Sequence, residues 1–181
     1  NGEELMVDEG ITPRSADEDF RDYTQKRSAH WDHIASAPPS SLGGYYQRRL
    51  AEVYALLIPE GSKVLEVGCA RGDLLAALNP HTGVGIDFSE DMVKSARCEH
   101  PKLRFEVMDA HNIDLEIETY DFIVLSDGVN DFWDIQTAIG QLRPYCGAHT
   151  RVIFNFFSHL WQSPLSFARA FGMATPTLRP N

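Results

Sequence analysis

Four residues between positions 66 and 72 have types and spacing that could hold a ligand. Glu66 lies in an apolar run, and Gly68, Ala70 and Gly72 follow it just before a predicted helix at 74–78. A strand, a glycine turn and a helix together bring backbone N–H groups to one edge of a sheet, an arrangement that binds nucleosides. Because Glu66 would repel a pyrophosphate, the turn favours a ligand with a positive charge.

Two further acidic residues follow apolar runs in the same way. Asp87 ends the run 83–87, and Asp109 comes shortly after the alternating run 103–107. Ligands of open α/β sheets contact side chains just beyond the strands, so both carboxylates are expected beside Gly68. Taken singly, Asp87 could instead cap the next helix and Asp109 could form an Asx turn. Ser89 is the expected N-cap of that helix.

Together these segments resemble the class I S-adenosylmethionine-dependent methyltransferases. The family's first motif is an acidic residue followed by Gly-x-Gly/Ala-x-Gly, and it matches Glu66, Gly68, Ala70 and Gly72. The resemblance implies S-adenosylmethionine as cofactor and S-adenosylhomocysteine as product. A dinucleotide fingerprint would need glycine at 68, 70 and 73, and only Gly68 fits, which disfavours a nicotinamide-dependent dehydrogenase.

The resemblance also assigns roles to the next two motifs. It implies that Asp87, followed by Phe88, accepts hydrogen bonds from the ribose hydroxyls. Asp109 and Ala110 match the adenine-binding turn of the family. His111 follows that turn, and because its unperturbed pKa lies near neutrality it is a candidate general base.

A fourth apolar run, 121–125, leads into the loop that lines the methyl-acceptor site in this family. The resemblance places Ser126 near the cofactor. Asp127 is the preferred candidate for orienting the acceptor or taking its proton, with Asn130 and Asp131 as further candidates. The alternative is that Asn130 or Asp131 caps a helix over 132–142.

The methionine carboxylate of the cofactor has candidate partners outside the motifs. In many relatives a Tyr or Arg from the leading helix, here 42–58, reaches this group, which makes Tyr46 and Arg49 hypotheses. Arg71 within the glycine turn is another candidate. A core tyrosine and solvated arginines explain the same residues equally well.

Composition excludes several classes of function. Over 181 residues the formal net charge is −10, which argues against a nucleic-acid or anionic-membrane surface, and no apolar stretch is long enough for a membrane span. Three cysteines without a pairing pattern fit a reduced, cytoplasmic setting. His30 and His33 have a spacing that a metal could use, but no third ligand accompanies them, so no metal site is expected.

The predicted fold is α/β, a Rossmann-like doubly wound sheet with strand order 3-2-1-4-5. Residues 1–40 form an acidic lead, 1–16, and an N-terminal helix, 17–34, and residues 41–181 form the methyltransferase domain. The family's strands 6 and 7 are expected to be missing, because the fifth strand, 151–157, is followed only by a helical stretch at 160–171. We expect the exposed edge of the fifth strand to be covered by that helix, a partner chain or further residues.

The leading functional hypothesis is methyl transfer to a small-molecule, glycan or lipid-linked acceptor. Segments 72–78 and 125–127 resemble a bacterial group in which the domain is found beside family 2 glycosyltransferases. That resemblance leaves an alternative, a cofactor-binding regulatory or scaffold domain that partners a glycosyltransferase. Aminopropyl transfer from decarboxylated S-adenosylmethionine is a further alternative, and a homodimer is compatible with all of these.

Overall fold

The computed structural model describes residues 15–36, 41–126, 132–155, 166–167 and 170. Within this part of the chain, helices and strands alternate from the second helix onward, except that no helix separates the third strand from the fourth. Their bounds are α1 (Ala16–Ala35), α2 (Ser41–Leu57), β1 (Lys63–Val67), α3 (Asp73–Ala77), β2 (Thr82–Asp87), α4 (Glu90–Glu99), β3 (Arg104–Val107), β4 (Tyr120–Leu125), α5 (Ile135–Gln141) and β5 (Cys146–Phe154), with a 3-10 turn at Arg143–Tyr145.

The strands form one parallel sheet in the order β3-β2-β1-β4-β5. The central strand β1 pairs with β2 on one side and β4 on the other, so the chain reverses its winding direction beside β1. Ligands of such sheets lie beyond the carboxyl ends of the strands at this reversal. The predicted α/β class and strand order are confirmed.

Both faces of the sheet are covered, which explains why β1 reads as a nearly continuous apolar run. Val64 packs on one face in a cluster with Tyr54 of α2 and Leu75 of α3. Leu65 packs on the opposite face in a cluster with Leu142 and other side chains around α5. Helices on both faces are what a doubly wound sheet requires.

Helix α1 begins with a complete capping box. The Ser15 hydroxyl accepts a hydrogen bond from the backbone N–H of Glu18, whose carboxylate accepts one from the backbone N–H of Ser15. The helix therefore starts at Ala16, and the expectation that a non-helical lead reaches Ala16 is wrong at its last residue. The rest of that lead, 1–14, lies outside the described residues.

Helix α5 begins later than predicted. Asp134 is its N-cap, because its carboxylate accepts hydrogen bonds from the backbone N–H of Gln136 at 2.9 Å and from the hydroxyl of Thr137 at 2.5 Å. The expected start at Phe132, with Asn130 or Asp131 as cap, is therefore wrong. Asn130, Asp131 and Asp134 are all of residue types that favour N-caps, and the sequence alone did not single out the one that is used.

Strand β5 begins earlier than predicted. It starts at Cys146, paired with Tyr120, whereas the apolar pattern suggested Arg151. The first residues of the strand lack apolar alternation because they are exposed, and the register shifts between Tyr120 and Phe122. The outer edge of β5 pairs with no strand among the described residues. The predicted 156–157 extension and almost all of the predicted 160–171 helix lie outside them, so the predicted cover of this edge and the absence of strands 6 and 7 stay predictions.

The division of the chain into residues 1–40 and a domain over 41–181 also stays a prediction.

Where the chain is described, none of its helices combines the length and the apolar character that crossing a bilayer demands.

Candidate functional site

The loop after β1 is held tightly against the end of β2. The backbone N–H groups of Gly68 and Cys69 both donate to the carbonyl of Ile86, at 2.8 and 3.0 Å. Gly68, Ala70 and Gly72 have φ values of 79°, 46° and 76°. The chain thereby turns sharply at the carboxyl ends of the strands, as the glycine motif predicted. This side of the sheet, where ligands of such sheets bind, is called the ligand edge.

Gly72 is needed for a second reason, a close approach to β3. A Cβ at this position would overlap the ring of Phe105, well inside van der Waals contact. The fully buried Phe105 ring thus packs directly beneath the backbone that starts α3. Any larger residue at 72 would move either the ring or the loop.

Asp87 connects the glycine loop to the start of α4. One carboxylate oxygen, Oδ2, accepts the backbone N–H of Ala70 at 2.9 Å, and Oδ1 accepts the backbone N–H of Ser89 at 2.9 Å. Only 7% of the residue is exposed. Burial raises the pKa of Asp87, and the N–H groups of Ser89 and Ala70 oppose that rise. A carboxylate offers about four lone-pair sites, so Asp87 has capacity for a further donor such as a ribose hydroxyl.

A second buried carboxylate lies close by. Glu66 is 2% exposed in β1. Burial, and after it the negative charges of Glu66 and Asp87, raise the pKa of the Cys69 thiol well above its ordinary value. Two carboxylates therefore act on one buried position of the glycine loop. This edge of the sheet suits a cationic ligand and disfavours a pyrophosphate.

The turn after β3 is organised by Asp109. Its Oδ1 accepts both the backbone N–H of His111, at 2.8 Å, and the ring Nδ1–H of the same residue, at 2.6 Å. The other ring nitrogen, Nε2, accepts the backbone N–H of Asp134 at 3.1 Å. The Nε2 lone pair of His111 is therefore occupied by the N–H of Asp134, and it must release that group before Nε2 can act on a ligand.

Helix α1 covers the turn at Asp109, a contact that the sequence motifs did not predict. Phe20 packs edge-on against His111 at 5.5 Å between ring centroids, and Tyr23 lies 5.1 Å from Trp133. The buried Arg27 guanidinium lies 5.0 Å from the centroid of the Tyr23 ring. The cavity that remains is lined by Phe20, Tyr23, Thr24, Arg27, Phe88, Asp109, Ala110, His111 and Phe132.

The size of this cavity indicates a closed arrangement. Its volume is about 30 Å³, whereas ligand sites usually measure about 300 to 1,000 Å³. A nucleoside is larger than this cavity, so one could enter here only if α1 moved. Phe20, Tyr23 and Arg27 follow helical spacing, which was the available sequence signal for this contact.

One hydrogen bond joins α1 to the start of α4, next to Asp87. The hydroxyl of Ser89, which also caps α4, donates to Oδ1 of Asp32 at 2.5 Å. The Asp32 charge contributes to the raised pKa of Asp87. Ser89 was predicted as a cap, but its partner 57 residues away in the chain carries no local signal.

Of the remaining predicted residues, four lie in the described part of the chain and three lie outside it. Ser126 follows β4 at the ligand edge and is 9% exposed. The Tyr46 hydroxyl accepts a hydrogen bond from Asn155, and the Arg71 guanidinium donates to the carbonyl of Ala35 at 2.8 Å. Arg49 pairs with Glu52 on the surface of α2. Asp127, Asn130 and Asp131 lie outside the described residues.

Comparison with known proteins finds similarity in the central part of the chain. Residues 64–146 match the family model of the methyltransferase domain. The match covers less than half of the chain, and it lies over the three motifs on which the resemblance rests. The matched segment contains the glycine loop, Asp87 and the turn at Asp109.

A curated relative matches over the same region. Demethylmenaquinone methyltransferase of Staphylococcus aureus is 30% identical over 96 residues, which cover 48% of this chain and 39% of that enzyme. The match thus spans well under half of the relative's length.

Solved structures share the fold of the domain. The N-methyltransferase NodS of Bradyrhizobium japonicum, solved with S-adenosyl-L-homocysteine, aligns with a TM-score of 0.60 at 16% identity, covering 70% of this chain and 71% of that one. Magnesium protoporphyrin IX methyltransferase of Synechocystis, solved with bound S-adenosylmethionine, aligns with a TM-score of 0.59 at 19% identity, covering 83% and 80%.

Proposed function

We propose that this chain binds S-adenosylmethionine and transfers its methyl group to an acceptor. The observation that carries the proposal is Asp87, a buried carboxylate at the carboxyl end of β2, held between the N–H groups of Ala70 and Ser89. The methyltransferase-domain match over 64–146 supports the same function. S-adenosylhomocysteine would bind as the product.

The residues present fit this cofactor. Asp87 would accept the ribose hydroxyls, and the Oδ2 oxygen of Asp109, with Phe88 and Ala110, would contact adenine. When bound, S-adenosylmethionine supplies a methyl group on a positively charged sulfur that an acceptor can attack directly. Glu66 and Asp87 would stabilise that positive charge.

The chain's own contribution to the reaction is positional. Ser126 and the loop after it would hold the acceptor in line with the methyl group and exclude water. An acceptor hydroxyl also has to lose a proton, and we propose Asp127 as the base, with His111 as the second candidate. Asp127→Asn should lower turnover by about 10² to 10⁴, the range for a positioned base, and leave cofactor affinity unchanged.

Calorimetry on the full chain tests the cofactor assignment. We expect S-adenosylmethionine and S-adenosylhomocysteine to bind and NAD not to bind. Asp87→Ala should weaken binding by about 1.5 to 3 kcal/mol, the scale of hydrogen bonds to a charged group. Asp91→Ala is the matched control, because it removes an exposed acid from the first turn of α4. Equal affinities in Asp87→Ala and wild type would refute the assignment.

The second part of the proposal concerns the class of acceptor. The net charge of −10 favours a small-molecule, glycan or lipid-linked acceptor over a polyanion. Demethylmenaquinone, named in the curated relative, belongs in the first acceptor screen with radiolabelled methyl donor. A glycosyltransferase partner stays a prediction. Tight cofactor binding without turnover on any acceptor would favour the regulatory or scaffold alternative.

A further inference from the structure

Both ring nitrogens of His111 are engaged, and each contacts a different element. Nδ1 lies 2.6 Å from Oδ1 of Asp109 in the turn after β3, and the same oxygen accepts the backbone N–H of His111 at 2.8 Å. Nε2 accepts the backbone N–H of Asp134 at 3.1 Å. The Asp134 carboxylate in turn caps α5 through its bonds to Gln136 and Thr137. One side chain thus links the turn at Asp109 to the start of α5.

This link joins parts of the ligand edge that the sheet keeps apart. The turn at Asp109 follows β3 and α5 follows β4, and in the sheet β2 and β1 lie between those two strands. Neighbouring strands are about 4.8 Å apart, so β3 and β4 are separated by about 14 Å. The contact between His111 and Asp134 therefore connects the two sides of the region where β2 ends at Asp87 and β1 ends at the glycine loop.

The segment between β3 and β4 explains how the turn reaches α5. No helix forms there, and Ile113 and Leu115 are buried in the same cluster as Leu142, which follows α5. The Tyr145 hydroxyl accepts the backbone N–H of Leu115 at 3.1 Å and lies 3.3 Å from the carbonyl oxygens of Ile113 and Leu115. These contacts anchor the segment independently of His111, so variants at that position are expected to fold.

We propose that His111 is a positioning residue that makes the start of α5 depend on the turn at Asp109, so that a bound cofactor also stabilises the acceptor side of the site. The proposal rests on the proposed function, in which Oδ2 of Asp109 contacts adenine and the acceptor lies beyond β4. Adenine would restrain the Asp109 carboxylate, whose Oδ1 holds His111, and His111 holds the N–H of Asp134.

This role has two consequences for the reaction. Coupling between two sites is reciprocal, so the acceptor should bind more tightly once the cofactor is present. Nε2 of His111 cannot hold Asp134 and take a proton from an acceptor at the same time, so a role as base would require the link to break.

Two substitutions at His111 isolate the bond to Asp134. His111→Gln places an amide oxygen about where Nε2 lies, so it can still accept the N–H of Asp134, whereas the shorter side chain of His111→Asn reaches only the position of Nδ1. Both lose the ring with its edge-on contacts to Phe20 and Phe132. Both keep the backbone N–H at position 111 that Asp109 accepts. The two variants therefore differ in the acceptor that they offer to Asp134.

Amide hydrogen exchange of α5 with and without saturating S-adenosylhomocysteine measures the coupling. In the wild type, the ligand should slow exchange in Ile135–Gln141 by about 3- to 10-fold, the equivalent of one neutral hydrogen bond. His111→Gln should retain this slowing, and His111→Asn should lose it. Exchange in β1 without ligand should be equal in these proteins, which verifies that the fold is intact.

Thr137→Val is the control for a merely structural effect. It removes the hydroxyl that donates to Asp134, so α5 should exchange faster both with and without ligand. The slowing caused by S-adenosylhomocysteine should nevertheless remain, because the bond from Asp134 to His111 is intact.

The outcomes separate this link from other routes. Helix α1 also approaches the start of α5, since Tyr23 packs against Trp133. Equal responses of His111→Gln and His111→Asn would mean that the bond to Asp134 carries no coupling, and the inference would be wrong. The wild type decides as well, because unchanged α5 exchange with S-adenosylhomocysteine bound overturns the inference whether or not the variants fold. Failure of the wild type to bind this ligand would instead refute the proposed function.

Discussion

Asp87 illustrates how a single residue can serve the fold and the ligand together. Its two oxygens already join the glycine loop to α4 through Ala70 and Ser89, so the site is organised before any ligand is present. Burial opposes ionisation, and two N–H donors partly restore it. The folded chain thus maintains a costly charge where a nucleoside would use it.

This balance predicts a pH dependence of stability. The pKa of Asp87 is raised from 3.8, so the folded chain binds this proton more tightly than the unfolded chain does. The stability from this group is complete below 3.8 and is lost as the pH rises through the raised pKa. Asp87→Asn removes the titration.

Denaturant unfolding of both proteins across this pH window measures the effect. The wild type should lose stability relative to Asp87→Asn as the pH rises. A stability difference that stays constant with pH would contradict the pKa shift.

Gly72 allows the cost of the close approach to Phe105 to be measured. Gly72→Ala places a methyl group against that ring, and both Gly72 and Gly61 have positive φ. Gly61→Ala meets no atom within 4 Å, so it carries only the backbone strain. Gly72→Ala should be the more destabilising by about 1 to 3 kcal/mol, the cost of overpacking, in urea unfolding. Equal losses would mean that the Phe105 ring moves aside freely.

At the residue scale, the sequence predicted what is local. Ser89 was expected as a cap because a hydroxyl before an acidic helical turn is a short-range signal. The bonds from Ser89 to Asp32 and from Asn155 to Tyr46 join residues far apart in the chain, and only the tertiary fold brings them together. The aromatic cover by Phe20 was visible as a helical stripe, but the pattern does not say which surface the stripe meets.

Helix α1 is the element that would have to move for a nucleoside to enter the cavity beside Asp109. Asp32→Ala removes its hydrogen bond to Ser89 and should cost the closed arrangement about 1.5 to 3 kcal/mol. Amide hydrogen exchange within Ala16–Ala35 should become faster, while exchange in β1 is unchanged.

Asp22→Ala is the control for this prediction. It also removes a carboxylate from α1, but one paired with Lys26 on the surface, where an ion pair contributes little. If both variants exchange alike, the Asp32 contact does not hold α1 closed.

At the scale of elements, buried ones were predicted better than exposed ones. The bounds of β1, β2 and β4 follow their apolar runs within a residue because both faces of these strands are covered. The start of β5 was missed because its first residues face solvent and carry no hydrophobic pattern. Periodicity reports burial, so it cannot mark a strand that is paired yet exposed.

For the molecule as a whole, the order of the strands could be predicted from the rules of parallel sheets. The exposure of the edge strand β5 could not be predicted in this way. Val152 and Phe154 of β5 are 42% and 52% exposed. Open apolar edges of this kind promote association. Val152→Lys should therefore lower light scattering on heating without changing S-adenosylhomocysteine binding. Unchanged scattering would indicate that this edge is covered in solution.

The sheet order also has a consequence for synthesis on the ribosome. Strands β1, β2 and β3 follow one another in the chain, with one helix between each pair. Strand β1 also pairs with β4, and there Val64 lies opposite Phe122, 58 positions later. Strands β1, β2 and β3 thus emerge from the ribosome before the side of β1 that pairs with β4 has its partner. Until β4 emerges, that flank is an open parallel edge at the centre of the future domain. The nascent chain is most vulnerable to mispairing during this interval.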